Sequence, residues 1–256
     1  MRTILKKELV VTTSLPPNIL SHIYASAGLT GNSEYCSRFR HTLRVEDIDF
    51  LKPLQQNFMP SPPAAGGPLF LFMYQFPSYF PAEDLKGTIK NFDLLLGGLD
   101  TRTPLSIWQG IDPETVKVLQ TWIPPEVTEA SWGQLKPMLG ELRGILERLK
   151  GIVSYAYRSF YKGYWETRES ALLEKAGEIQ DKIGEFAIFD AWSEALKMPF
   201  PYKEFVVYLC EPGFDTSLLA EKIAMPYSTT VERALETLIH EVGVHFISPQ
   251  GYLQQG

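Results

Sequence analysis

Histidine and cysteine are the scarce residues of this chain, four of one and two of the other in 256 residues. Cys36 and Cys210 lie far apart and have neither metal-type nor redox-type spacing. They read as reduced, partly buried thiols, with a disulfide between them as the alternative. Basic clusters are missing too. No Lys/Arg block exceeds two residues, and the net charge is −6. That excludes a polybasic membrane patch and argues against a nucleic-acid binder, which needs a basic surface to meet the phosphates. The longest apolar stretch, Leu69 to Tyr74, is too short to span a bilayer. The first residues, Met1 to Val11, carry charges where a signal peptide needs its apolar run. A cytoplasmic location is therefore expected. Gly-rich phosphate loops and a Gly-x-Ser-x-Gly elbow are absent, as are internal repeats and sustained heptads.

What is present suits a globular protein. Hydrophobic residues make up 45% and charged residues 21%, enough for a sizeable core in one large domain or two small ones. Residues Ile4 to Thr13 have strand composition, stopped by Leu15-Pro16-Pro17. Asn18 is the expected cap of a short helix closed by Gly28. Arg44 to Leu51 reads as the start of another helix, ended near Pro53 or Phe58. The Pro/Ala/Gly segment 60–67 is a loop or linker. The aromatic run Leu69 to Phe80 reads as a buried strand or packed loop, with a hydrophobic binding wall as the functional alternative. Leu85 to Leu96 has near-helical spacing, ended by Gly97-Gly98, and Asp112 to Trp122 has a good start and a Pro124-Pro125 stop.

From Thr128 the chain changes character. Leucines recur every three or four residues from Leu135 to Leu149, and the pattern continues to Phe189, giving two long amphipathic helices with a joint near Gly163. Gly140, Gly144 and Gly151 offer places where a neighbouring helix could approach. Tyr155, Tyr157, Tyr161, Tyr164 and Trp165 form an aromatic belt, read as packing surface or as the lining of a cleft. Glu204 to Cys210 has strand composition. Thr229-Thr-Val-Glu232 is a capping box opening a last helix. The expected organisation is an N-terminal mixed α/β region, 1–127, followed by a helical region, 128–256.

Half of the histidines stand in that last helix, in Ile239-His240-Glu241-Val242-Gly243-Val244-His245-Phe246. Two imidazoles and a carboxylate this close suit a divalent metal and a water. The order of two long helices, a strand, a loop and a His-Glu helix resembles the first half of the zinc-peptidase core of the gluzincin type, over roughly residues 128–247. The spacing is the lengthened His-Glu-x-x-x-His form found in some atypical zinc carboxypeptidases. The resemblance implies an α+β, mostly helical fold with a zincin-like core and an edge-type strand. It implies zinc as cofactor, His240 and His245 as metal ligands, and Glu241 as the general base for a metal-bound water. It further implies a peptide or protein substrate that adds as a strand to Val206–Tyr208.

Helix geometry attaches a condition to this. At about 100° per residue, positions five apart diverge by about 140° on a straight helix. The metal reading therefore predicts a π-bulge between the histidines, which Gly243 would make cheaper. A catalytic zinc also needs a third protein ligand. None follows His245, which leaves Glu236, Glu166, Glu169, or the remote His22 and His41, as candidates; a chain that stops short of its third ligand is the other expectation. A straight helix with diverging histidines favours the alternative, a non-catalytic helical binding or scaffold domain.

Overall fold

Strand β1 (Glu8–Thr12) leads directly into helix α1 (Leu15–Ser26). The helix starts before Asn18 because Pro16 and Pro17 occupy its first turn, where a missing N–H costs nothing. Asn18 is therefore not a cap. Its buried amide donates to the Ser14 and Leu209 carbonyls, at 2.9 and 3.0 Å, and its oxygen accepts from the Glu211 N–H at 2.9 Å. The computed structural model describes residues 8–57, 68–99, 108–122, 137 and 139–251. The loop at 60–67, Pro124-Pro125 and the start of the helical region at Thr128 lie outside the described residues.

Helices α2 (Ser33–Phe39) and α3 (Val45–Leu51) follow. The aromatic run is not a strand. It forms short helical turns, Pro68–Phe70 and Phe76–Tyr79, around a π turn at Leu71–Gln75. Phe70, Phe72, Met73, Tyr74, Phe76 and Tyr79 are all buried, so this wall is core. Helix α4 (Leu85–Leu99) runs through Gly97-Gly98 rather than ending there, and α5 (Pro113–Trp122) comes next.

Helices α6 (Leu139–Ala156) and α7 (Lys162–Ile183) are joined without a break by a second π turn, Tyr157–Tyr161. The joint thus precedes Gly163. A Cβ added at Gly140, Gly144 or Gly151 would meet nothing within 4 Å, so none of the three hosts a close helix approach. Buried Asp47 ties α3 to α6, accepting from Arg44 Nε at 2.7 Å and from Arg148 at 2.8 Å.

After α8 (Ile188–Leu196) come β2 (Glu204–Cys210), β3 (Thr216–Leu219), β4 (Lys222–Pro226) and the last helix, α9 (Val231–Gly251). The sheet order is β1-β2-β4-β3, with β2 parallel to both β1 and β4, and β3 antiparallel to β4. The fold is α+β and mostly helical. β1 shares this sheet with strands from the region beyond residue 128, and one hydrophobic core spans both regions.

This topology corrects one expectation. Glu204–Cys210 is an interior strand, hydrogen-bonded on both sides. Its nearly continuous apolar sequence is what a strand covered on two faces requires. It offers Val206–Tyr208 to no added peptide. The two true edges carry side-chain caps. Gln180 accepts from the Val11 N–H at 2.6 Å and donates to the Leu9 carbonyl at 2.5 Å, acting as a one-residue surrogate strand along β1. Gln75 donates to the Ser217 carbonyl of β3 at 2.8 Å. Such caps blunt an edge against further pairing.

Candidate functional site

Helix α9 carries all three residues of the expected metal site. Thr230 rather than Thr229 caps it, accepting from the Arg233 N–H at 3.2 Å. Ala234, Leu238, Val242 and Phe246 recur every four residues and are buried, forming the stripe that faces the core. The helix is α throughout, with no π turn between the histidines. Both π turns among the described residues lie elsewhere, in the aromatic run and between α6 and α7.

The consequence is divergence. His245 is 0% exposed, its ring edge-on to Phe205 with centroids 5.1 Å apart. Its Nδ1 donates to the Glu241 carbonyl at 2.6 Å. Burial lowers its pKa to about 4, the nearby Glu241 and Ala220 backbone offsetting part of that. His240 is exposed to solvent. Glu241 lies between them, half-buried, and burial holds its carboxyl above the ordinary range, with the nearby Asp215 adding to the effect and His240 opposing it.

The described residues do not fit a zinc ion as they stand. The two imidazoles face different surroundings, one wet and one apolar. Among the described residues no group of three or more His, Cys, Asp or Glu side chains converges. Several of the upstream candidates have other partners. Glu236 lies 3.3 Å from Arg233, and Glu166 lies 3.8 Å from Lys162. His22 is buried in α1, bonded to the Tyr35 hydroxyl at 2.9 Å and to Thr42 Oγ1 at 3.1 Å, and stacked on Phe160. Burial lowers its pKa to about 3. His41 is exposed, edge-on to Phe160. In the aromatic belt Tyr161 and Trp165 are buried, while Arg168 pairs with Glu211 at 2.5 Å. That is packing surface with polar tips.

Gly243 has a different use from the one its place between the histidines suggests. A Cβ there would stand 2.4 Å from Cζ2 of Trp192. The indole of α8 lies against the bare backbone, and its Nε1 donates to the Ile239 carbonyl at 2.9 Å. The glycine thus seats a tryptophan.

Beside this contact runs a groove that periodicity alone passes over. It has a volume of 460 Å³ and is lined by Phe186, Ile188, Ala191, Trp192, Leu235 and Ile239, among others, nearly all of its lining apolar. Phe186 is 53% exposed and Ile239 45%. They are two of the five large hydrophobic side chains left exposed among the described residues. One signal was available in the sequence, since Ile239 falls outside the apolar stripe of its helix. Comparison with protein-family models, curated proteins and solved structures finds no match to this chain.

Proposed function

We propose that this chain acts by binding, as a non-catalytic helical domain whose contact face is the α8–α9 groove. The observation that carries this reading is His245. A zinc ligand keeps a ring nitrogen directed at an open, polar site. This ring is packed in the core against Phe205 and is bonded to the backbone of its own helix. Turning it toward His240 would cost a buried apolar contact and at least one hydrogen bond, with no bulge to supply the rotation.

One observation favours a second reading, that of a zinc-dependent peptidase or amide hydrolase. Glu241 is half-buried with its carboxyl held above the ordinary range, the state that suits a general base taking a proton from a metal-bound water. In that reading His240 and His245 hold the zinc, which would supply an activated water, and α9 must rearrange to bring them together.

Elemental mass spectrometry of the purified protein separates the two. The binding reading expects zinc well below one per chain, unchanged in His240→Ala, an exposed position that leaves folding intact. Near-stoichiometric zinc that disappears in His240→Ala would refute it. Peptide hydrolysis abolished by Glu241→Gln would then establish the second reading.

A further inference from the structure

On the side of α8 away from the groove, a second cleft runs between this helix, β1 and α9. We infer that it binds a small amphiphilic amine, a molecule with one ammonium head and an apolar tail. Its volume is 1230 Å³, above the range of about 300–1,000 Å³ usual for small-molecule sites. Helix geometry separates it from the groove. At about 100° per residue, Asp190, Ser193 and Lys197 share one face of α8, and all three line the cleft. Ala191, Trp192 and Ala195 fall on the opposite face and line the groove. His240, Glu241 and His245 line neither.

The floor and the mouth differ in chemistry. Ile183, Phe200, Leu238 and Val242 line the cleft and are buried members of the core. An apolar tail lying on them leaves water for a surface that is already dry on its far side. The charged lining consists of Glu8, Glu185, Asp190 and Lys197, all four exposed. Among the described residues none of these side chains has an ion-pair or hydrogen-bond partner, so their charges are not neutralised from within the fold.

Charge then selects the head. Three acids stand against one lysine, and Lys197 follows Asp190 by seven residues, about 10 Å along the helix. The end of α8 where Glu185 and Asp190 stand is therefore acidic, and a cation is drawn there while an anion is repelled. A peptide added as a strand is disfavoured. The cleft follows β1 at Leu9 and Val10, where Gln180 already holds the Val11 N–H and the Leu9 carbonyl.

The test is isothermal titration calorimetry of the full chain with three ten-carbon probes: decylammonium, decanoate and decanol. Decylammonium is expected to bind saturably at one per chain and to weaken as salt is raised, with decanoate and decanol at least about tenfold weaker. The double variant Glu185→Gln/Asp190→Asn, at two exposed positions, should weaken decylammonium by about tenfold and leave decanol unchanged. Ser193→Phe, which places a ring in the cleft, should weaken all three probes. Ile239→Glu, in the groove and not in the cleft, should change none of them. Circular dichroism checks that each variant folds.

No saturable binding of decylammonium, equal binding of decanoate, or indifference to the double variant or to Ser193→Phe overturns the inference. So does binding lost in Ile239→Glu, since the probe then sits in the α8–α9 groove. The zinc content of the protein is a separate result, because the cleft shares no lining residue with the histidines of α9.

Discussion

Acidification should expose the two buried histidines. His245 holds its pKa at about 4 and His22 at about 3 in the folded chain, against an ordinary 6.5, in both cases because burial disfavours the charged ring. Below pH 6.5 the unfolded chain takes up protons that the folded chain refuses, so stability is full above that pH and falls as pH drops toward the folded values. At pH 5 the loss is about 2 kcal/mol for each ring, or about 4 kcal/mol together. Against a domain stability of about 5–15 kcal/mol, that is a large fraction. Glu241, Asp215 and Glu221 have carboxyls raised by burial and push the other way, so the total profile is a poor readout. The informative quantity is a difference. Urea unfolding of the wild type and of His245→Leu at pH 7.5 and at pH 5 should show the variant losing about 2 kcal/mol less between the two. The same measurement with excess zinc at pH 7.5 should change neither protein. Two results would sink the reasoning. One is a pH dependence identical in both proteins, which would mean the ring is solvated. The other is zinc stabilisation present only in the wild type, which would make His245 a ligand.

Two further substitutions probe the supports of the site. Gly243→Ala gains about 1 kcal/mol of helix propensity, but the added methyl collides with an indole pinned through the Ile239 carbonyl. Overpacking costs about 1–3 kcal/mol, so the variant should be less stable, with shifted tryptophan emission. A more stable protein would mean that Trp192 is free to move aside. Asp47→Asn removes the charge that Arg44 and Arg148 share. Both arginines are more than a third exposed or close to it and recover water, so the cost should be about 2 kcal/mol, below that of breaking a fully buried pair. Chemical denaturation measures it, and a loss under about 0.5 kcal/mol, the scale of an ordinary surface change, would show that the α3–α6 link is not needed.

Much of the scaffold follows from local pattern. The leucine spacing from Leu139 onward, the apolar run of Glu204–Cys210 and the stripe Ala234, Leu238, Val242 and Phe246 each specify an element, because side-chain period is a property of the backbone itself. Divergence of His240 and His245 on a straight helix was also fixed by residue count alone. Whether the helix stays straight was not. Gly243 takes Trp192 of another helix against its bare backbone, and a contact between residues so far apart in the chain leaves no periodic trace. The same holds for β2. Its composition marks a strand, but only the parallel neighbours β1 and β4 make it interior, and with that a peptide-binding edge disappears. The edges themselves are closed by Gln75 and Gln180, two residues with no distinguishing local signal. Sequence determined the elements and the chemistry each could offer. Tertiary structure decided which side chains meet, because burial and hydrogen bonding depend on partners brought together only by the folded chain.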